Sequence, residues 1–348
     1  MTLPQKMSGI VLTGHGGPEM LEWRDNLPVP APGKGDVIVR VGAAGVNNTD
    51  INTRLAWYSK GDSDADDAAW SGAPIAFPLI QGIDVCGQIV ATGPGVDPAR
   101  IGQRVLIEPC LWEANGDMLA SPWFLGSECN GGFADYTRVA SRHAYQIDSD
   151  LTDVQLASFP CSYSTAENML TRTNVGPGDT VLVTGASGGV GSAAIQLARA
   201  RGATVLAVTS PSKAEILQSL GAIRTVDRNH DLIAELGRNS VDVVIDLVAG
   251  QKWPSLLDLL RPGGRYAVAG AVGGPIVELD VRTLYLKDLS FFGCTVLEPN
   301  VFGNLVKRIE RKEIAPLVAE TFTLRDIAAA QKAFGEKGYV GKIVLSVR

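Results

Sequence analysis

The run Thr180-Val181-Leu182-Val183-Thr184-Gly185-Ala186-Ser187-Gly188-Gly189-Val190-Gly191 opens as an apolar β-type stretch and breaks into a turn of small residues. It passes directly into residues 190–200, whose Ala, Leu, Gln and Arg content predicts a helix. Strand, glycine turn and helix in that order form a site for a dinucleotide phosphate. Glycine lets backbone come close to the pyrophosphate, and the unpaired N–H groups and positive dipole end of the helix hold the anion. Gly185, Ala186, Ser187, Gly188, Gly189, Val190 and Gly191 are therefore expected to bind a cofactor. The strand before and the helix after give the glycine pattern the context it needs to carry weight.

Composition narrows the classes. A chain of 348 residues suggests about two domains. An apolar content of 45% with 20% charged residues is ordinary for a globular protein with a sizeable core. The net charge of −6 argues against nucleic acid or an anionic membrane as the main partner. Residues 1–9 lack the apolar centre of a signal peptide, and no apolar run reaches the ~18 residues of a membrane span. The five cysteines are odd in number and scattered, without a CxxC pair. They read as reduced thiols, which predicts a cytoplasmic protein.

Two textures follow one another along the chain. Roughly the first 150 residues carry short β-type runs (37–41, 87–91 and 104–107) with Gly93-Pro94-Gly95 as a turn, a pattern that predicts an antiparallel, partly open barrel. Beyond about residue 153, strands at 204–208, 241–245 and 265–269 alternate with helices at 213–220 and 253–260. Repeated βα units imply a parallel sheet covered on both faces, hence an α/β fold. Helices at 301–311 and 324–334 and a last strand at 341–347 close the chain. The stretch 59–72, with Asp62, Asp64, Asp66 and Asp67, reads as a solvated loop rather than a metal site.

With these pieces placed, the chain resembles the medium-chain dehydrogenase/reductase superfamily over essentially its whole length. It is most similar to the zinc-independent quinone oxidoreductase and enoyl reductase branch. The resemblance rests on Gly45-Val46-Asn47-Asn48-Thr49-Asp50, Gly82-Ile83-Asp84-Val85-Cys86-Gly87, Gly102-Gln103-Arg104-Val105, Gly131-Gly132-Phe133-Ala134-Asp135-Tyr136, the glycine turn, Leu259-Leu260-Arg261-Pro262-Gly263-Gly264-Arg265 and Gly341-Lys342-Ile343-Val344-Leu345. It implies a GroES-like, partly open β-barrel catalytic domain (residues 1–152 and 299–348). A Rossmann doubly wound, NADP-binding domain (residues 153–298) is inserted within it. It also implies a homodimer, with a tetramer as the alternative, and residues 289–296 as the edge strand that would pair.

In the zinc enzymes of this superfamily, a Cys, a His and a second Cys hold the catalytic metal. The corresponding positions here are Asn47, Ile83 and Cys161. Isoleucine has no lone pair to offer, and a neutral carboxamide is a poor zinc ligand. One thiol cannot stand for the three protein ligands a catalytic zinc needs, even with Asp84 beside it. The structural zinc lobe is lost as well, since residues 106–130 hold only Cys110 and Cys129. The expectation is no metal. That loss selects the chemistry, because alcohol oxidation relies on a metal to stabilise the alkoxide. Hydride delivery to a conjugated C=C or a quinone instead leaves an anion that a few hydrogen-bond donors can hold.

The second strand of the nucleotide domain ends in Thr209-Ser210-Pro211-Ser212-Lys213, without the acid that holds the ribose hydroxyls of NAD. Ser210 and Lys213 suit a 2′-phosphate, and the resemblance adds Arg228 facing it. NADPH is therefore the expected cofactor. The resemblance further places Thr165 near the nicotinamide ring, Gly270, Ala271, Val272, Phe292 and Gly293 at its carboxamide end, and Lys342 in a terminal Gly-Lys motif that approaches the cofactor. Asn47, Tyr58 and Thr49 carry over as catalytic candidates, while Asn52 stands where relatives have a first tyrosine. Tyr58 would donate a proton to the developing anion, and Thr49 would orient. Trp57, Trp70, Trp112 and Phe124 would wall the pocket and favour an apolar or aromatic small-molecule substrate. Three functions remain open on the sequence: a zinc-free NADPH-dependent reductase of quinones or α,β-unsaturated carbonyls; an alcohol or polyol dehydrogenase with a degenerate zinc site; and a non-catalytic NADPH-binding protein.

Overall fold

A computed structural model describes residues 3–59, 69–70 and 74–347. Asp62, Asp64, Asp66 and Asp67 of the acidic loop lie outside the described residues.

The chain begins with the strands β1 (Lys6–Leu12), β2 (Leu21–Pro28) and β3 (Asp36–Gly45), then the short helix α1 (Asn48–Arg54). Next come β4 (Asp84–Thr92), β5 (Arg104–Ile107), β6 (Cys110–Ala114), β7 (Asp117–Phe124), β8 (Tyr136–Ala140) and β9 (Ala144–Gln146). Helices α2 (Asp153–Leu156) and α3 (Pro160–Arg172) lead into β10 (Thr180–Val183), α4 (Gly189–Ala200), β11 (Thr204–Thr209), α5 (Ala214–Leu220), β12 (Arg224–Asp227) and α6 (Leu232–Leu236). Strand β13 (Val241–Asp246), α7 (Trp253–Leu259), β14 (Leu260–Val268), α8 (Val281–Leu286), β15 (Ser290–Gly293) and α9 (Val301–Glu310) follow. The chain closes with β16 (Val318–Thr323), α10 (Ile327–Glu336) and β17 (Lys342–Ser346). It divides into two compact units. One holds the residues up to Cys161 with Pro316–Gly338 and those from Lys342 on; the other holds Ser162–Ala315 with Tyr339–Gly341.

The first unit is the GroES-like part. Its main sheet runs β16-β17-β3-β4-β5-β9, antiparallel except where β16 meets β17. Strand β3 organises it. One edge pairs with β4, and the other is shared by β8 along Asp36–Arg40 and by β17 along Ala43–Gly45. A strand covered on both edges and both faces must be apolar, and Val37, Ile38, Val39 and Val41 are fully buried. The C-terminal strand is thus wedged beside β3 and brings Lys342 to the end of it.

The second unit is a six-stranded parallel sheet in the order β12-β11-β10-β13-β14-β15, with crossover helices. The order reverses between β10 and β13, the switch point where such folds bind ligands at the strands' carboxyl ends. Helix α4 starts there, directly after the glycine turn.

Candidate active site

Sheet register builds a charged cluster in the first unit. Gly45 at the end of β3 lies opposite Asp84 of β4 on one side and Val344 of β17 on the other. Asn47 sits just past β3, and Lys342 is two residues before Val344. Three side chains distant in sequence therefore converge. Asp84 has no exposed surface, and Lys342 is 2% exposed. The Lys342 ammonium spends all three donors: on Asp84 Oδ2 at 2.7 Å, on Asn47 Oδ1 at 2.5 Å and on the Val46 carbonyl at 3.1 Å. Asp84 also accepts from Asn47 Nδ2 at 2.7 Å and from the Cys161 N–H at 2.5 Å. The second Asn47 amide proton reaches the Gly45 carbonyl at 3.3 Å. A buried ion pair survives desolvation only with this degree of satisfaction.

Asp50, in the first turn of α1, lies beside this cluster and accepts from the Asn47 N–H at 2.8 Å. Burial raises its carboxyl to about 7, with the Asp84 charge adding to the rise, while the Asn47 N–H and the Lys342 ammonium oppose it. Tyr58 lies a little further along the chain. Its hydroxyl is hydrogen-bonded to the side chains of Thr49 and Asn52, and burial lifts its pKa above the usual phenol value. The structure therefore brings Thr49, Asn52 and Tyr58 into one polar group, and Asn47 into another with Asp84 and Lys342.

An aromatic series continues from Tyr58. Its ring is parallel to that of Trp70 (3° between planes, centroids 6.2 Å apart), and Trp70 stacks on Phe124 at 4.3 Å. Trp57 meets Tyr58 edge-on. The Trp70 N–H donates to Ser127 Oγ at 3.2 Å, which fixes the backbone there. Trp112 lies on β6, where its N–H donates to His143 Nε2.

In the second unit the glycine turn brings the strand and the helix close together. A Cβ on Gly191 would lie 2.4 Å from the Gly185 carbonyl oxygen, so only glycine lets the helix start this close to the strand. Beside Gly188 there is space, with its nearest neighbour at 3.5 Å. The first N–H groups of α4 have no acceptor within the helix. Thr209, at the end of β11, buries a hydroxyl oxygen with no hydrogen-bond partner among the described residues. The Arg228 N–H donates to the Thr209 carbonyl at 2.8 Å, which carries Arg228 to the same strand end. Partial burial lowers the Lys213 pKa, and the Arg228 charge lowers it further. The Lys213 and Arg228 charges, the Thr209 hydroxyl and Ser210 are the residues here that could hold a cofactor's phosphate. Gly270, Ala271 and Val272 follow β14, and Phe292 and Gly293 end β15, again at the carboxyl side of the sheet. Thr165 stands in the second turn of α3.

Sequence reasoning missed two supports of this unit. Asp246 at the end of β13 is fully buried and accepts from the Thr184 hydroxyl, the Tyr266 hydroxyl and the Val248 and Ala249 N–H groups. It holds Ala249 at a φ of 55°, a strained value for a residue with a Cβ. Lys252 caps the Arg228 and His230 carbonyls just past the end of β12. A carboxylate at a strand end is the signal that could have found Asp246.

The donor set for a catalytic zinc does not fit. The Asn47 carboxamide is committed at both ends, Ile83 is buried and inert, and the Asp84 oxygens already bind an ammonium and two N–H groups. Among the described residues no group of three His, Cys, Asp or Glu side chains is placed to hold a metal ion. Nor, among them, is any helix long and apolar enough to cross a membrane.

Comparison with known proteins adds the following. Residues 33–149 match the alcohol dehydrogenase GroES-like domain, and residues 189–311 match the zinc-binding dehydrogenase family. The latter match contains none of positions 47, 83 and 161. The crystal structure of a candidate alcohol dehydrogenase from Sinorhizobium meliloti 1021 is 44% identical, with a TM-score of 0.92 over 99% of this chain and 97% of that one. Human quinone oxidoreductase is 29% identical over 354 residues, 97% of each chain. Acryloyl-coenzyme A reductase of Metallosphaera sedula is 29% identical over 351 residues, 98% of this chain and 100% of that one.

Proposed function

The chain belongs to the medium-chain dehydrogenase/reductase superfamily, and from that premise we propose an NADPH-dependent reductase of quinones or α,β-unsaturated carbonyls that works without zinc. It is an oxidoreductase that uses a nicotinamide cofactor; the choice of phosphate, substrate and metal is our reading. What carries the metal-free part is the Lys342 ammonium, which is bonded to Asn47 and Asp84 at the positions around a zinc enzyme's metal. The relatives named for quinone and acryloyl-coenzyme A reduction support the acceptor class. The unpartnered Thr209 hydroxyl and the Lys213–Arg228 proximity support the 2′-phosphate.

Bound NADPH supplies the hydride. Tyr58 holds its proton firmly, because burial disfavours the phenolate. Thr49 and Asn52 orient the hydroxyl, which donates to the oxygen where negative charge develops. Asn47 acts by position, anchoring α1 to Asp84 and Lys342. The Tyr58, Trp70 and Phe124 rings suit a flat, conjugated acceptor.

The test is oxidation of NADPH and of NADH against a panel of quinones and enones, with metal analysis of the purified protein. We expect turnover with NADPH well above NADH and no stoichiometric zinc. Tyr58→Phe should lower kcat by roughly 10²-fold, the low end for a lost general acid, and leave the KM for NADPH unchanged. Cofactor binding without turnover would favour a binding protein, and stoichiometric zinc an alcohol dehydrogenase. The five cysteines form no disulfide, as a reducing, cytoplasmic setting would require. The outer edge of β15, unpaired among the described residues, supports a homodimer.

A further inference from the structure

The second unit holds a cavity that the proposed reaction does not use. It has a volume of about 850 Å³ and lies where the C-terminal ends of α4, α5 and α9 meet. Five cations line it (Arg199, Lys307, Arg308, Arg311 and Lys312) against a single carboxylate, Glu313. This concentration stands out in a chain of net charge −6. Asn304, Lys307, Arg308 and Arg311 recur at helical spacing on one face of α9, and Val301, Phe302, Leu305, Val306 and Ile309 bury the other. Arg199 enters from the last turn of α4.

Pairing inside the cavity is incomplete. Arg308 is held by Glu313 at 2.7 Å and leans on buried Glu167 at 3.6 Å, while Arg311 reaches the same Glu313 only at 3.8 Å. Neither Arg199 nor Lys307 has a side-chain hydrogen bond or ion pair among the described residues. Attraction to helix carbonyl ends explains one or two cations in a last turn. It does not gather five around one concavity from helices a hundred residues apart in sequence.

We infer that this cavity is a second ligand site, for a small molecule that carries two or more phosphate groups. Arg199, Lys307 and Arg311 are its primary contacts. Arginine forks and a lysine point charge suit phosphate oxygens, and the volume lies in the range of small-molecule pockets. A concavity confined to one corner of an acidic chain does not suit a nucleic-acid duplex. The site is separate from the glycine turn, since Gly189 and Arg199 stand roughly 15 Å apart along α4 at 1.5 Å per residue.

Calorimetric titration with inorganic pyrophosphate at low salt tests the inference, run on the full chain with and without saturating NADPH. We expect pyrophosphate to bind at least tenfold more tightly than orthophosphate, and equally well with NADPH present. We also expect binding to weaken as salt is raised. The K307E/R311E variant should lose at least tenfold in affinity while keeping its thermal midpoint, because both side chains are exposed. Equal affinity in wild type and variant would overturn the inference, as would full competition by NADPH. Binding of a poly-glutamate peptide in place of pyrophosphate would also overturn it, pointing to an acidic protein instead.

Discussion

Lys342 and Asp84 lie 258 positions apart in sequence, and their bond rests on nothing local. Lys342→Met would leave the Asp84 carboxylate buried and short of its cation, a loss of about 3–5 kcal/mol for a broken buried pair. Urea unfolding should show that drop, and Lys342→Met combined with Asp84→Asn should recover part of it by removing the stranded charge. Asp50 gives a second, pH-dependent expectation. Its folded pKa of about 7 exceeds the unfolded carboxylate value, so the native state binds the extra proton in between. Stability from this group is therefore greatest at acid pH, falls as pH rises from about 4 through 7 and then levels off. Asp50→Asn should be more stable than wild type at pH 8, and the difference should vanish near pH 4, as read from denaturation midpoints across pH. Local motifs made part of this site legible. Thr49, Asn52 and Tyr58 lie within ten residues, and Asn47 and Ile83 stood out as the places of absent ligands, with Asp84 as the acidic neighbour. Lys342 was legible as part of a terminal motif, but the bonds of its ammonium to Asp84 and Asn47 were not, because only the pairing of β17 with β3 reveals where it goes.

At the scale of elements, the βα alternation was readable because β10, β11 and β13 are largely apolar runs and β14 ends in one, after its Pro262-Gly263-Gly264 turn. Strand β12, four residues long with alternating polar positions, has too little pattern to register. The β6–β7 hairpin was passed over within residues 106–130, where Pro122 and scattered polar residues blur the alternation. Its signal was present in Asn115-Gly116, both at positive φ (56° and 83°), the residue pair that tight hairpins favour. What ties this hairpin down is His143. Its Nε2 accepts from the Trp112 and Glu113 N–H groups at 3.0 and 3.2 Å, which puts the ring proton on Nδ1, donated to Glu108 at 2.7 Å. His143→Ala would strand two backbone donors and a carboxylate. We expect a loss of roughly 3 kcal/mol at the usual cost of unsatisfied buried groups. Hydrogen exchange should show faster amide exchange at Trp112 and Glu113 than at β10.

At the scale of the molecule, the parallel sheet ends on a strand that has no outer partner among the described residues. Strand β15 pairs only with β14, and its sequence Ser290-Phe291-Phe292-Gly293 carries neither charge nor proline to discourage pairing. In the same unit, along the chain between β14 and β15, Val272, Ile276, Val281 and Leu286 are exposed, Ile276 at 88%. Phe291 is anchored inward on Trp253 and Tyr266, which holds the edge flat for a partner strand. A second copy of β15 laid antiparallel across a two-fold axis would satisfy the edge and cover the apolar patch on both copies with one self-complementary surface. A stable dimer buries about 800 Å² per partner, more than a four-residue strand alone supplies, so the neighbouring apolar side chains have to contribute. Light scattering should accordingly give twice the chain mass at micromolar concentration. Ile276→Lys with Leu286→Lys, both remote from the core, should halve that mass while the far-UV spectrum stays unchanged. A wild-type protein already monomeric at that concentration would show that the exposed edge has another use.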